Sequence, residues 1–243
     1  MDRNAFAERV KWGILRRFNR HHFSVLRDVC GLPGGRRLLR QFWNRRIWDN
    51  YLFAPGLDGQ QLMFIHIPKC AGTSIARMLL GTTLPCVPAY PYALTDPDRF
   101  AQTFSFAVLR DPALQIASTL YHLERSEWAQ PADKRFFERE RLGERSIDEL
   151  LERFALDRVF RRRLFTETFI GRSGMIMRPH EFLEFEGRVI VSRIYAFDRL
   201  DRMVEELSER TGRRLRLPHE NASRLGGASA AVDSRVTALL RTV

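Results

Sequence analysis

One stretch, residues 61–80 (QLMFIHIPKCAGTSIARMLL), constrains the fold more than any other. It opens with an apolar run from Leu62 to Ile67, of the length expected for a buried parallel strand. A short loop with a lysine and small residues follows, and then apolar residues return at helical spacing. A strand, a short loop and a helix in this order form a cradle for an anion, because backbone N–H groups and the positive helix end face one point.

Several loop residues have a chemical meaning of their own. Lys69 adds a point charge, and Gly72 lets the backbone approach a ligand closely. Thr73 or Ser74 is expected to cap the helix and to bond the anion. A Walker A loop places its lysine directly after a glycine, whereas here the lysine precedes the glycine. A metal-dependent NTPase is therefore disfavoured, and we predict no metal site.

A second segment repeats the pattern of a strand followed by a helix. Residues 103–109 (TFSFAVL) predict a buried strand that ends at Arg110, and the helix ALQIASTLYHLERS follows Pro112, which suits a first helical turn. In open α/β sheets, ligands bind beyond the carboxyl ends of the strands. Lys69 and Arg110 are therefore expected at the same edge of the sheet.

The rest of the chain continues the alternation of helices and strands. Ser146, with Glu149 three residues later, is a typical capping-box signal. The other predicted elements are a loop at 81–100, a charged exposed segment at 129–145, helices at 146–154, 158–170 and 200–210, a strand at 188–197, and a solvated run Arg161–Arg163. We therefore predict an α/β domain over residues 56–243, with a P-loop-like, three-layer arrangement in which helices flank a central parallel sheet.

The basic character of the chain lies mostly in its first fifty residues. The net charge is +11, and residues 1–50 hold twelve Lys/Arg against four Asp/Glu, a net of +8. Apolar residues at helical spacing predict a basic amphipathic helical arm over residues 1–55. Two interpretations stay open: the arm packs on the core or on another subunit of an oligomer, which we prefer, or it lies on an anionic membrane surface. A nucleic-acid partner is disfavoured, because the rest of the chain, which holds the predicted α/β domain, carries a net charge of only +3.

Localisation follows from what the sequence lacks. It has no apolar run of transmembrane length, and charges interrupt the N-terminus too often for a signal peptide. Its three cysteines show no metal-ligand spacing and no even pairing. We expect a cytoplasmic protein, peripheral to the membrane if the arm binds there. For Cys70 we consider a thiol whose pKa is lowered by positive potential, and prefer a small residue that fits a tight loop.

Two motifs carry a resemblance to a known family. His66–Ser74 (HIPKCAGTS) and Phe106–Ser118 (FAVLRDPALQIAS) resemble sulfotransferases that use 3′-phosphoadenosine 5′-phosphosulfate (PAPS), and are most similar to the branch that sulfates carbohydrates. The first motif of that branch, roughly H-[IV]-P-K-x-[AG]-G-T-S, is matched throughout. The second, R-[DN]-P-x-x-R-x-x-S, is matched except that Gln115 replaces its second arginine. Residues 217–223 (LPHENAS) resemble a C-terminal segment of the same branch.

The resemblance implies roles for these residues. Residues 68–74 would hold the 5′-phosphosulfate, with Lys69 on the oxygen that bridges phosphorus and sulfur. Arg110 and Ser118 would hold the 3′-phosphate, and Arg224 either adds a late contact to it or is a solvated loop arginine. The residues implied to bind the donor are Pro68, Lys69, Cys70, Ala71, Gly72, Thr73, Ser74, Arg110, Ser118 and Arg224.

The general base and the acceptor site are less specified. His122 lies four residues beyond Ser118 in the predicted helix and is our preferred base. The weaker candidates are Glu124, Glu127, Asp96 and Asp98. We interpret His66 as a core residue that orients the loop. The aromatic residues Tyr90, Tyr92 and Trp128 either stack on saccharide rings or pack in the core.

These observations predict an enzyme that transfers a sulfuryl group from PAPS to a hydroxyl, on a saccharide or glycan, and releases 3′-phosphoadenosine 5′-phosphate (PAP). Two alternatives belong to other classes. One is a non-catalytic nucleotide-binding or regulatory protein with the same fold. The other is a polyanion-binding protein driven by the basic arm.

Overall fold

The structure, a computed structural model, describes residues 62–84, 86–95, 97–125, 129–172 and 179–218. The predicted arm over residues 1–55 and its boundary with the domain lie outside these ranges. The described residues form two compact units. The sheet unit comprises residues 62–67, 71–109 and 179–218, and the helical unit comprises residues 68–70, 110–125 and 129–172.

The described chain contains short strands and mostly short helices. The strands are β1 (Leu62–Ile65), β2 (Phe104–Leu109), β3 (Glu184–Phe185), β4 (Arg188–Val189) and β5 (Arg193–Ala196). The helices are α1 (Gly72–Leu80), α2 (Tyr90–Thr95), α3 (Pro97–Gln102), α4 (Pro112–Arg125), α5 (Pro131–Arg139), α6 (Ile147–Leu156), α7 (Arg158–Glu167), α8 (Phe169–Arg172), α9 (Pro179–Leu183) and α10 (Leu200–Thr211), with 3₁₀ turns at Leu142–Glu144 and Phe197–Arg199. Within the described ranges, no helix combines the length and the apolarity that crossing a bilayer requires.

The sheet unit is built on three parallel strands in the order β1-β2-β5. All four residues of β1 and the four central residues of β2 are buried, which explains why both strands are largely apolar, with Ser105 as the polar exception in β2. Neighbouring strands pack through aromatic rings: the Phe106 ring centroid lies 5.2 Å from that of Phe64 and 6.0 Å from that of Tyr195. A small parallel sheet accompanied by helices is the coarse α/β architecture that the sequence predicts.

The strand predicted over residues 188–197 is wrong as a single element. The chain instead forms the β3–β4 hairpin, whose turn holds Glu186 and Gly187 at φ of 52° and 74°, and then β5. Between β4 and β5, Ser192 accepts a hydrogen bond from the Ser105 N–H and donates its own N–H to the Ser105 hydroxyl, at 3.2 and 3.1 Å. These contacts tie the chain to β2, and β5 begins at the next residue.

The loop predicted over residues 81–100 is also wrong in part, because α2 and α3 form there. Two of the four prolines that suggested a loop occupy the first turns of these helices. Pro91 is the second residue of α2 and Pro97 the first of α3, where the missing N–H has no helical partner to lose. Thr103 ends α3, and its hydroxyl donates to the Arg99 carbonyl at 2.7 Å.

The helical unit contains the predicted helix after Arg110 and the predicted capping box. Asp111 starts α4, because its carboxylate accepts from the N–H groups of Ala113 and Leu114 at 2.9 and 3.2 Å. Ser146 and Glu149 bond reciprocally at the start of α6, which confirms the capping box. The buried core residues of this unit are Ala113, Ala117, Leu120, Phe136, Leu142, Leu150, Leu151, Phe154, Ala155, Phe160, Leu164 and Ile170.

Many residues of the segment 129–145 are exposed, as its charge predicts, but the segment also contributes buried residues to the core. Helix α5 buries Phe136 and Asp133. One carboxylate oxygen of Asp133 accepts from the N–H groups of Phe169 and Ile170, at 2.7 and 3.3 Å. Asp133 thereby caps the start of α8, and the helix predicted over residues 158–170 is broken at Thr168.

The run Arg161–Arg163 is not simply a solvated face. Arg163 reaches the buried carboxylate of Glu140 at 2.8 Å, and Arg153 reaches the same carboxylate at 2.6 Å. Arg161 donates to the carbonyls of Phe154 and Ala155, so only Arg162 of the three is exposed. We call the residues around this carboxylate the Glu140 cluster; its members are Arg139, Glu140, Arg153, Asp157, Arg163 and Glu167.

Candidate functional site

The loop between β1 and α1, residues 68–71, has the most unusual backbone in the described chain. Lys69 and Ala71 adopt positive φ angles of 64° and 60°. The remaining non-glycine residues with positive φ in the described ranges are Arg141 and Glu186. The left-handed region costs a residue with a Cβ about 1–2 kcal/mol, and such strain persists where the surrounding structure holds it and clusters at functional sites. The loop therefore has a conformation that its contacts must maintain.

Two side chains of the helical unit hold the loop by its carbonyl groups. The Gln115 side-chain amide donates to the Pro68 carbonyl at 3.0 Å, in a buried hydrogen bond. One terminal nitrogen of Arg110 lies 3.5 Å from the Lys69 carbonyl. The second motif segment thus contacts the first at two neighbouring peptide groups, and Lys69 and Arg110 lie together as expected of neighbouring strand ends.

Cys70 is a buried thiol in the middle of this loop, with an exposed fraction of 1%. Burial raises its pKa to about 11, although the Arg110 N–H bonds the sulfur and the charges of Arg110 and Lys69 act in the opposite direction. The thiol is therefore neutral at physiological pH. The alternative in which positive potential lowers this pKa is wrong, and Cys70 acts as a small residue that fills the loop.

Arg110 is held in a partly buried position. Burial lowers its pKa, while Cys70 and the Asp111 carboxylate act in the opposite direction. An arginine keeps its charge under these conditions, because its ordinary pKa exceeds 12. Ser118, the other residue implied to bind the 3′-phosphate, is buried on α4 with an exposed fraction of 7%.

Helix α1 begins without a side-chain cap. Ala71 stands at its N-cap position and supplies no capping hydrogen bond, and no acidic residue lies in the first turn. The prediction that Thr73 or Ser74 caps the helix is therefore wrong. Thr73 is half-buried and Ser74 is buried, both inside the first turn of α1. A helix start of this kind keeps its positive potential, which favours an anion.

His66 and Gly72 are matched to each other within the sheet unit. A methyl group at Gly72 would overlap the His66 ring, so only glycine fits beneath it. The Nδ1 atom of His66 donates to the Leu84 carbonyl at 2.8 Å, and its ring stacks on Phe64 with centroids 5.8 Å apart. Because a carbonyl only accepts, Nδ1 carries the proton. His66 is half-buried and fixed from two sides, which suits its predicted role in orienting the chain around Gly72.

For most of the other predicted site residues, the structure does not describe the side chain. His122 lies in α4, but the structure describes only its backbone, and the same is true of Glu124. Arg224 lies outside the described residues; so do Asp96, Glu127 and Trp128. Asp98 is exposed in the first turn of α3.

The two loop tyrosines belong to the core of the sheet unit. Tyr90 and Tyr92 have exposed fractions of 5% and 7%, and the Tyr90 ring stacks on Phe185 with centroids 6.1 Å apart. Of the two interpretations that the sequence leaves open, core packing is the one that the structure supports. These rings are not presented to a saccharide.

The contacts of two residues beside the loop were not predicted from the sequence. Asp111 is the cap of α4, and the signal for it was present in the order Asp-Pro before a helical pattern. Gln115 appears in the sequence as the loss of an arginine, yet its contact to the Pro68 carbonyl is shorter than that of Arg110 to the Lys69 carbonyl. No spacing rule within one sequence predicts this contact, because its partner is 47 residues away.

Comparison of the chain with known protein families, with curated proteins and with solved structures found no match. In the described ranges, no three side chains of His, Cys, Asp or Glu are grouped so that they could hold a metal ion.

Proposed function

We propose that the protein transfers a sulfuryl group from PAPS to a hydroxyl group of a saccharide or glycan, and that its α/β domain is P-loop-like. One observation carries the proposal: the second motif segment contacts the first, through Gln115 on Pro68 and Arg110 on Lys69. These partners are 47 and 41 residues apart in sequence. The resemblance requires the two segments to serve one donor, and this contact agrees with it.

The residues around the 68–71 loop fit a donor with two anionic ends. PAPS, when bound, supplies a sulfuryl group joined to its 5′-phosphate through a bridging oxygen. In the proposal, residues 68–74 hold the 5′-phosphosulfate, and Arg110 and Ser118 hold the 3′-phosphate. A guanidinium group has five N–H donors in a fixed fork, so one arginine can contact a loop carbonyl and a phosphate together.

Lys69 is the proposed catalytic residue. Among the 40 basic residues of the chain, Lys11, Lys69 and Lys134 are the only lysines, so a lysine in this loop departs from the general use of arginine. An ammonium group is a compact point charge, suited to a single oxygen atom. Negative charge grows on the bridging oxygen as its bond to sulfur breaks, and a fixed cation there stabilises the transition state more than the ground state.

The proposed transfer forms one bond to sulfur and breaks another. A bond forms between the acceptor oxygen and sulfur, and the bond between sulfur and the bridging oxygen breaks with its electron pair on that oxygen. The acceptor proton passes to a general base, for which His122 stays our prediction. The products are a sulfate ester and PAP.

Transfer activity of a Lys69→Ala variant tests this function. Purified protein is incubated with sulfur-labelled PAPS and a panel of glycans, and labelled product is counted. We expect a loss in rate of about 100-fold or more in Lys69→Ala, because removing one group that stabilises developing charge has an effect of this order. Lys134→Ala is the matched control: Lys134 is an exposed lysine on α5, and its removal should leave the rate unchanged.

Each outcome of this assay has a distinct meaning. Undiminished transfer in Lys69→Ala contradicts the assigned role of the lysine. Tight binding of PAP without transfer to any acceptor favours the non-catalytic nucleotide-binding protein. Binding of many polyanions with a steep dependence on salt, lost when residues 1–50 are removed, favours the polyanion-binding protein.

A further inference from the structure

Gln115 is placed firmly enough to act on the 68–71 loop. It lies in the first turns of α4 with an exposed fraction of 5%. Its backbone N–H donates to the Asp111 carbonyl at 2.9 Å, and its own carbonyl accepts from the Thr119 hydroxyl at 2.9 Å. The main chain at Gln115 is therefore fixed on both sides, and its side chain extends from a rigid helix to the loop.

The contact to Pro68 has a defined donor and acceptor. A carbonyl only accepts, so the NH₂ end of the Gln115 amide must face Pro68. The hydrogen bond is buried, and a buried carbonyl that loses its partner costs free energy. An amide provides this donor without adding a positive charge beside Arg110. Where the sulfotransferase motif has an arginine, this chain therefore still has a hydrogen-bond donor, although a neutral one.

Holding a carbonyl also orients the amide group that follows it. In a planar trans peptide, the C=O of one residue and the N–H of the next point in opposite directions. Gln115 binds the Pro68 carbonyl, so the Lys69 N–H points away from α4. Arg110 contacts the Lys69 carbonyl, so the Cys70 N–H is directed in the same manner, away from the guanidinium group. Two consecutive peptide planes are thus set by two side chains, in a loop whose backbone is left-handed at Lys69.

We propose that Gln115 is a positioning residue of the donor site, which holds the Pro68–Lys69 peptide so that its N–H faces the 5′-phosphosulfate. This inference rests on the proposed function. It assigns Gln115 to the 5′ end of the donor only. Gln115 has no assigned contact with the 3′-phosphate, which makes the two ends of the ligand separable in an experiment.

Calorimetric binding of two nucleotides to Gln115→Met tests the inference. Methionine has nearly the same length and volume as glutamine but no donor. We expect the affinity for PAP, which has both phosphates, to fall about ten-fold, as expected when one well-oriented hydrogen bond is lost. The affinity for adenosine 3′-monophosphate, which lacks the 5′-phosphate, should change by less than about two-fold. Thr211→Val is the matched control: it removes a buried hydrogen bond, from the Thr211 hydroxyl to the Leu207 carbonyl in α10, that involves neither Gln115 nor the loop, and both affinities should stay as in the wild type.

Thermal unfolding of each variant establishes that it is folded, and Gln115→Ala serves in place of Gln115→Met if methionine does not fit. An equal loss of affinity for both nucleotides would mean a general disturbance of the helix and overturns the positioning role. So does an unchanged affinity for PAP. A wild-type protein that binds neither nucleotide overturns the proposed function and this inference with it, whereas wild-type binding with an insensitive Gln115 overturns only the inference.

Discussion

The 68–71 loop and the Glu140 cluster both use buried or half-buried arginines, but for different purposes. In the Glu140 cluster, Arg153 and Arg163 meet the carboxylate of Glu140 at 2.6 and 2.8 Å. At the loop, Arg110 contacts a main-chain carbonyl instead, together with the neutral donor of Gln115. None of the six members of the cluster has a positive φ, although Arg141 beside Glu140 does, whereas the loop is left-handed at Lys69 and Ala71 themselves.

The two regions show how a structural use of charge differs from a functional one. In the cluster, three arginines face three carboxylates, so the charges are balanced within the protein itself. At the loop, the side chains shape the backbone, and that backbone is strained. Charges that are balanced within the protein need no ligand and cost stability only when one partner is removed, whereas a strained backbone held by polar side chains indicates a site. Substitutions in the two regions should therefore affect different measurements.

The largest effect on stability is expected at the cluster. Glu140→Gln should lower the free energy of unfolding by about 3 kcal/mol, because it leaves Arg153 and Arg163 facing a neutral amide in a buried position. Its affinity for PAP should stay within about two-fold of the wild type. Chemical denaturation and calorimetry measure the two quantities.

Glu167→Gln is the control for that substitution, because Glu167 contacts Arg139 and Arg163 from an exposed position and should matter much less for stability. A Glu140→Gln protein that has normal stability but no longer binds PAP would show that the cluster serves ligand binding and not stability.

A smaller effect is expected at Cys70, and it depends on pH. The pKa of this thiol is about 11 in the folded protein, above its ordinary value of 9.0. The unfolded chain therefore loses its proton first, and the free energy of unfolding falls as pH rises through this window. From about pH 8 to about pH 10.5, the thiol accounts for a loss of about 2 kcal/mol. Denaturant titrations of the wild type and Cys70→Ala measure it as the difference between their slopes against pH. Identical alkaline losses in the two proteins would show that the thiol is not held neutral in the loop.

The smallest effect is expected from releasing the loop backbone. Ala71→Gly removes the cost of a left-handed Cβ residue but adds backbone entropy to the unfolded chain, so stability should rise by less than about 1 kcal/mol. The affinity for PAP should fall a few-fold, because a looser loop must be ordered on binding. Denaturation and calorimetry measure these changes.

Glu186→Gly makes the same change in the exposed β3–β4 turn, and there only stability should respond. Equal effects of Ala71→Gly and Glu186→Gly on PAP affinity would remove the reason for treating the strain at Ala71 as functional.

The parts of the fold that local signals determine were predictable from the sequence. Strand β1 was predicted from its apolar run and β2 from its largely apolar residues, and the start of α6 was predicted from Ser146 and Glu149, which lie within one turn. In these cases the residues that decide the structure are close together in the chain. Lys69 and Arg110 are 41 residues apart, and they could be placed together only by the general rule that the carboxyl ends of parallel strands share one edge of a sheet.

What could not be predicted depends on distant partners. From the sequence, Asp133 is expected to be a surface charge. In the structure it is buried, and its carboxylate accepts a hydrogen bond from the N–H of Phe169, 36 residues later. From the sequence, Gln115 is only the replacement of an arginine in the motif. In the structure its amide donates to the Pro68 carbonyl. Pro91 and Pro97 mark the starts of α2 and α3, but a cluster of prolines in a sequence is as typical of a loop as of two helix starts.

The order of strands in the sheet also has a consequence for how the protein is made. Strand β2 is central, and its partner β5 is separated from it by 87 residues, as in the contact of Ser105 with Ser192. During synthesis the ribosome releases β1, β2 and all of the helical unit before β5 exists. Parallel pairing over such a distance is slow, and until it occurs one edge of β2 stays open to other chains. The nascent protein should therefore be most prone to aggregation in the interval between the appearance of Leu109 and that of Ala196.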